Sequence, residues 1–339
     1  MTAPSGVVVA LGEVLLRLAP TGRRLMRQAA SFDVEVGGAE ANVLAALTGL
    51  GHRTRLVSAL PDSPLGQLAV AQIAARGIAT DQVRIGSGRM GLYFLEQGQG
   101  RRPSRIVYDR ADSSFATAKA TDFSADAVLA DATLLHLSGI TPALGDGPTD
   151  LALALARQAN LRGIPVCFDG NFRAQLWASR GVDPTPVLTE LIGCADVLIG
   201  NHQDIALVTG ADFKGEGEDR RAAAVARALA EFPRLALIAS TARHVVDSDR
   251  HLLSARVDSR HGGAQTEEIA VEGIIDRIGT GDAFAAGVLD SWLRGEGVAA
   301  AARAGLALAA LKHGVPGDAC HFTRSEVAAF WGEGRDVQR

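Results

Sequence analysis

The sequence predicts an α/β fold: three layers built on a mostly parallel central sheet, with a small β-sheet lid standing off the main body. Three observations carry this expectation. Short β-branched or apolar runs alternate with alanine-rich runs along most of the chain, which is the pattern of strands joined by covering helices. Two stretches, 13–36 and 89–112, break that rhythm with strand-like runs and no helix between them. Polar residues recur just after successive strand runs, where open α/β sheets bind their ligands.

In chain order, strands are expected at 7–11 (VVVAL), 133–138 (TLLHLS), 164–168 (IPVCF), 196–200 (DVLIG) and 235–240 (LALIAS). Helices are expected at 40–50, 65–76, 149–162, 186–194 and 219–231. Within the lid stretches, EVLLRLAP…FDVEV and RMGLYFLEQGQGRRPSRIVYDR read as short strands joined by Gly- and Pro-containing turns. The polar stretches 214–221 (KGEGEDRR) and 258–266 read as surface loops. Neither a repeat nor an interdomain linker is visible, so 1–339 reads as one domain.

Composition narrows the function classes. With 47% hydrophobic and 21% charged residues the chain has the balance of a globular protein that buries a large core. Its 34 basic and 38 acidic residues leave a net charge of −4, so no basic surplus points to nucleic acid. Cys167, Cys194 and Cys320 lie far apart, which speaks for a reduced compartment rather than a disulfide framework or zinc site. The start, MTAPSGVVVALGE, lacks a basic n-region, and the alanine-rich stretch 298–311 is interrupted by Arg303. No membrane partner and a cytoplasmic location are therefore expected.

The stretch 276–290, DRIGTGDAFAAGVLD, is the main chemical signal. Two glycines within three residues free the backbone for a tight turn, and the smooth small-residue run after them fits a packed helix. A helix N-terminus preceded by glycines is an anion site. Asp282 is then either a helix cap or a chemical group beside a bound phosphate; a cap needs one Asp but not two flanking glycines. Gly12-Glu13, Asp169 to Arg173, Asn201 and Ser240-Thr241 follow successive strand runs. The GxGxxG match at 86–91 (GSGRMG) is followed by the alternating run LYFLE, not by the helix a dinucleotide site needs. There is no Walker motif, no GxSxG elbow and no zinc spacing among the eight histidines.

GGAEAN at 37–42 and DRIGTGDAFAAG at 276–287 resemble the two glycine motifs of the ribokinase-like (PfkB) carbohydrate kinases, and the likeness covers roughly residues 6–331. Within that family the chain is most similar to 2-keto-3-deoxygluconate kinases, through GLYFLEQG, RPSRIVYDRADSSFA, FDGNFRAQLW and ALKHGVPGD. The resemblance implies a ribokinase-like fold and ATP-dependent phosphorylation of a sugar's primary hydroxyl. Asp282 would act as general base, and the backbone of Gly279, Thr280 and Gly281 as an anion hole. It implies nucleotide contacts at Asn171, Asn201 and Ser240. Mg²⁺ would be organised by Asp204, which stands where the family usually has Glu. It leaves a monovalent cation open, and the exposed edges of a lid sheet suggest a homo-oligomer, a dimer or higher.

The same resemblance places Gly38, Asn42, Tyr93, Tyr108, Arg110, Arg173 and Asp318 around the sugar. The two arginines suit a carboxylate, hence a sugar acid. Their structural alternatives are a surface bridge from Arg110 to Asp109 or Asp112, and a core-edge bridge from Arg173 to Asp169. Competing functions are a kinase for 2-keto-3-deoxygalactonate, fructose or ribose, and a non-catalytic nucleotide or sugar sensor.

Overall fold

A computed structural model describes residues 6–215 and 217–332. The chain opens with β1 (Val7–Leu11), β2 (Leu15–Pro20), β3 (Phe32–Gly37), α1 (Ala39–Gly49), β4 (Arg53–Pro61), α2 (Pro64–Ala75) and β5 (Ile78–Gly86). It continues through β6 (Gly91–Glu96), β7 (Arg105–Asp109), α3 (Ala125–Leu129), β8 (Ala132–Ser138), α4 (Asp146–Leu161), β9 (Val166–Asp169), α5 (Ala174–Arg180), α6 (Thr185–Cys194) and β10 (Val197–Ile199). The last third holds α7 (His202–Thr209), α8 (Gly217–Glu231), β11 (Leu237–Val245), β12 (Arg250–Ser259), β13 (Gly262–Gln265), β14 (Ile269–Glu272), α9 (Thr280–Leu293), α10 (Val298–His313) and α11 (Arg324–Ala329).

The large sheet runs β13-β12-β11-β10-β9-β8-β1-β4-β5, with β14 also paired to β12. From β11 to β5 every pairing is parallel, and the antiparallel strands are added at one end. Because β1 is buried on both faces, its apolar run is continuous rather than alternating. Val8 and Ala10 join the core beneath α1, α2, α9 and α10, while Val7, Val9 and Leu11 join the core beneath α4, α6 and α8. These are the three expected layers. No described helix is long and apolar enough to cross a membrane.

The stretches 13–36 and 89–112 supply a separate four-stranded sheet, ordered β3-β2-β6-β7, with β2 and β6 parallel at its centre. Single 3₁₀ turns at Thr21–Arg23 and Met26–Gln28 interrupt the first stretch. Leu15, Tyr93 and Leu95 form this sheet's small core. GSGRMG joins the two sheets, from the last residue of β5 to the first of β6, with no helix after it.

Two expectations need correcting. The region 258–266 is not a loop: it closes a hairpin in which Arg256 to Ser259 pair with Gly262 to Gln265 at the end of the large sheet. Its sequence lacks alternation because this outermost strand is fixed by backbone pairing to β12, not by a buried face of its own. Nor is 214–221 wholly loop, since α8 begins at Gly217 with Glu218 and Asp219 in its first turn, where acidic residues favour the helix dipole. The strands β4 and β5 had no counterpart among the expected ones. Interleaved Arg, Thr, Asp and Gln hide them, and β5 ends the sheet with a largely exposed face.

Candidate active site

One large cleft, of about 1410 Å³, lies over the carboxyl ends of β1, β9, β10 and β11 and beneath the small sheet. It brings together all the residues expected to form the site: Gly38, Asn42, Tyr93, Tyr108, Arg110, Asn171, Arg173, Asn201, Asp204, Ser240, Gly279, Thr280, Gly281, Asp282 and Asp318.

The glycine turn is a constraint of close packing. Gly279 has φ +79°, and a Cβ there would lie 1.7 Å from the Asp318 carbonyl oxygen, so no other residue fits. Gly279 is the N-cap of α9 and supplies no capping side chain. The first N–H groups of the helix are therefore left for a ligand. Asp282 is the third residue of α9 and does not cap it. Its Oδ2 instead accepts a 2.7 Å hydrogen bond from Asn42 Nδ2, on the facing helix α1. Gly38 likewise begins α1 without a side-chain cap, pressed against the Glu13 carbonyl, so two helix N-termini meet in the cleft.

Burial pushes the Asp282 carboxyl up to about 7. The Asn42 donor opposes that rise, the Glu40 and Asp318 charges add to it, and the Arg173 charge opposes it. Glu40 is itself raised by burial and hydrogen-bonded by Ser138 and Thr141. Asp169 is raised well above its ordinary value by burial and by the charges of Asp282 and Asp204. The cleft floor is thus a cluster of carboxyl groups around Asp282.

Beneath the small sheet, charges are paired. Arg110 is 7% exposed and its Nε donates to Glu13 Oε2 at 2.8 Å, with a second, closer contact from Nη2. Neither Asp109 nor Asp112 is its partner; Asp109 pairs with Arg89. Ser113 also donates to Glu13. Both oxygens of Asp318 are engaged, Oδ1 by Arg17 at 2.9 Å and Oδ2 by the Tyr93 hydroxyl. Tyr108 is half exposed, stacked 5.9 Å from Tyr93 with the Arg110 guanidinium 5.6 Å from its ring centre.

At the strand-end side, cations are free. Among the described residues no carboxylate pairs with Arg173, Arg243 or Arg277, all three lining the cleft; the Arg173–Asp169 bridge does not form. Asn171, held at φ +33°, donates its N–H to Asp169 Oδ1 at 3.1 Å. Asn201 and Asp204 form a reciprocal cap on α7: Asn201 Oδ1 accepts the Gln203 N–H, and Asp204 Oδ2 accepts the Asn201 N–H at 2.8 Å. Burial raises Asp204, and the Arg173 charge lowers it. Ser240 lies where β11 leaves the core. Sequence reasoning passed over Arg17, Glu40, Arg243 and Arg277 as site residues. Arg277 lies inside the glycine motif and Arg243 three residues past Ser240, so their neighbours were the available signal.

Asp169 and Asp204 offer hard oxygen donors beside the glycine turn. This suits Mg²⁺, which is held through one or two carboxylates plus substrate phosphates rather than by a protein cage. Among the described residues no group of three or more His, Cys, Asp or Glu could hold a metal by itself.

The comparisons with known proteins agree with this geometry. The family model described as pfkB family carbohydrate kinase matches residues 7–321. The chain is 33% identical to the 2-dehydro-3-deoxygalactonokinase of Haloferax volcanii, over 94% of this chain and 95% of that one. It superposes on the crystal structure of 2-dehydro-3-deoxygluconokinase from Thermotoga maritima with a TM-score of 0.90 and 34% identity, covering 95% of this chain and 98% of the other. A PfkB family carbohydrate kinase from Listeria grayi gives a TM-score of 0.89 at 32% identity, over 96% and 99%. Uncapped glycine turns and a buried carboxylate cluster thus share one cleft over a ribokinase-like sheet, and the chain belongs to the pfkB family of carbohydrate kinases.

Proposed function

We propose that this kinase transfers the γ-phosphoryl group of ATP to the primary hydroxyl of 2-keto-3-deoxygluconate, giving the 6-phosphate and ADP. The observation that carries the sugar-acid part is Arg173: an exposed guanidinium in the cleft, with no ion-paired carboxylate among the described residues, close enough to Asp282 to lower its pKa. A planar guanidinium pairs bidentately with a carboxylate, which a neutral sugar lacks. Arg110 contributes differently. With its fork already on Glu13, it shapes the wall beside Tyr108.

In this reading the substrate hydroxyl oxygen attacks the γ-phosphorus while its proton passes to Asp282. A base raised to about 7 is matched to that task at neutral pH. Asn42 fixes the carboxylate's direction by its hydrogen bond. The N–H groups of Gly279, Thr280 and Gly281 face the transferring group as negative charge gathers on it. Arg243 and Arg277 meet the nucleotide phosphates, beside Asn171, Asn201 and Ser240. Mg²⁺, when bound, neutralises phosphate charge, and Asp204 with Asp169 are the residues that would hold it. The small sheet covers the sugar and excludes water as a lid. Its outer strands leave Phe32, Val34 and Val107 exposed, a surface suited to a second copy of the chain.

One observation favours the galactonate epimer as a second reading: the Haloferax volcanii relative, matched along nearly its whole length, is named for that substrate. The deciding experiment measures ATP consumption with 2-keto-3-deoxygluconate, its galactonate epimer, fructose and ribose. The proposal expects the two keto acids to exceed the neutral sugars, with the gluconate form first. A preference for the galactonate form selects the second reading, and a preference for fructose or ribose overturns both.

A further inference from the structure

Resemblance to the PfkB kinases leaves room for a monovalent cation, and the structure bears on whether this chain has a place for one. Directly behind the glycine turn, backbone carbonyls converge on a group the protein supplies itself. Lys312, near the end of α10, is 0% exposed, and its Nζ contacts the Val315 carbonyl at 3.2 Å and the Asp276 carbonyl at 3.5 Å. A fully buried lysine is rare unless its charge is compensated. Here the compensation is explicit. Asp276 and Asp318 are buried to 4% and 3% exposure, and Arg17 alone would leave one negative charge in excess. Burial lowers the Lys312 pKa, and the charges of Asp276, Cys320 and Asp318 oppose that.

The position is not incidental to the turn. Asp276 opens the DRIGTGD motif, and its Oδ1 accepts the Ile278 N–H at 3.0 Å, one residue before Gly279. The N–H groups of Ile275 and Asp276 both donate to the carbonyl of His313, the residue after Lys312. The end of α10 therefore holds the approach to the anion-binding turn by backbone bonds and by an ammonium lying between carbonyl oxygens. An alkali-metal ion at that point would compete with the ammonium for the same oxygens and add a positive charge to a balanced group, so the residues present do not fit one.

We propose that Lys312 is a tethered substitute for a monovalent cation: its ammonium fixes the Asp276 and Val315 carbonyls and so positions the 279–282 turn without potassium or sodium. It is a positioning residue, and the proposal rests on the reading of that turn as the anion hole. Misplacing reacting groups by about 1 Å costs on the order of 100-fold, which sets the scale of the effect.

The test compares wild type with Lys312→Ala and Lys312→Met in chloride salts of potassium, sodium, ammonium and tetramethylammonium at constant ionic strength. ATP consumption is read together with the heat of ATP binding and the melting temperature. Wild-type activity is expected to vary less than about twofold among the salts. Lys312→Ala is expected to lose about 10–100-fold in tetramethylammonium. Potassium or ammonium, but not tetramethylammonium, should restore part of its activity and raise its melting temperature. Lys312→Met, which fills the space left by the lysine stem, should fold and lose activity without rescue. Wild type that needs potassium overturns the proposal, as does a folded Lys312→Ala that no small cation rescues. The wild-type salt series decides alone should both variants fail to fold. Absence of turnover with every sugar would count against the kinase reading, while the cation dependence of ATP binding would still decide the role of Lys312.

Discussion

The two halves of the cleft treat charge in opposite ways. Under the small sheet, Arg110 is buried against Glu13, and Arg17 together with Lys312 balances Asp276 and Asp318, so the charges are neutralised before any ligand arrives. Over the ends of β9 to β11, Arg173, Arg243 and Arg277 form no ion pair with a carboxylate among the described residues, while Asp282 is held at a raised pKa. A paired, buried charge shapes a wall; an unpaired one is left for a ligand's charge. On the proposed function, pairing rather than position in the cleft separates structural arginines from those left to meet a ligand.

The largest expected effect breaks the strand-end half at its base. Asp282→Asn keeps the shape and the Asn42 contact region but cannot accept the proton, so kcat should fall about 10²–10⁴-fold with little change in melting temperature. An activity loss below tenfold in steady-state kinetics would remove Asp282 from that role. The complementary cut is Arg110→Leu, which strands the buried Glu13 carboxylate. Breaking a buried pair from one side costs about 3–5 kcal/mol, read as a lower denaturation midpoint. If stability is retained and only the KM for the sugar acid rises, Arg110 belongs with the unpaired arginines instead.

Arg173→Met sharpens the contrast. Losing a charge-assisted contact worth about 1.5–3 kcal/mol should lower kcat/KM for keto acids by about 10–100-fold, with neutral sugars and thermal stability hardly affected. Equal losses for all sugars would assign Arg173 to the phosphates. A pH series comes next in size. Since Asp282 titrates at about 7 and acts only when deprotonated, kcat/KM should fall tenfold per unit as pH drops below about 7, and level off above it. Asn42→Ala removes a hydrogen bond that lowers this pKa, so the acid limb should move to higher pH. The smallest effect is expected from Arg243→Gln, about tenfold or less in the KM for ATP, shrinking as salt screens the phosphates.

Much of the fold was legible because its signals are local. The apolar run of β1, the alternation of strands with alanine-rich helices and the glycines before α9 each express a rule that acts within one element. Failures came where that rule is silent: β13 has no apolar face to announce it, and interleaved polar residues hid β4 and β5. In the site, positions after strands and glycine motifs pointed to residues that share one cleft, yet the partners of its charges were invisible. Arg110 stands beside Asp109 and Asp112 in the chain but pairs with Glu13, 97 residues away. Lys312 lies in an alanine-rich helix, where nothing in the neighbouring sequence shows that its ammonium reaches the Asp276 carbonyl behind the 279–282 turn.

By itself, then, the sequence determined the central strands β1, β8, β9, β10 and β11 with their covering helices, the second small sheet and the glycine turn that starts α9. Each of these depends on periodicity or backbone freedom, which neighbouring residues settle among themselves. Tertiary structure alone decided that Asn42 reaches Asp282 across 240 residues, that Arg17 meets Asp318 across 301, and that Arg173 forms no ion pair among the described residues. Those outcomes follow from how the elements pack, and the strength of a charge pair depends on the distance and burial that packing sets.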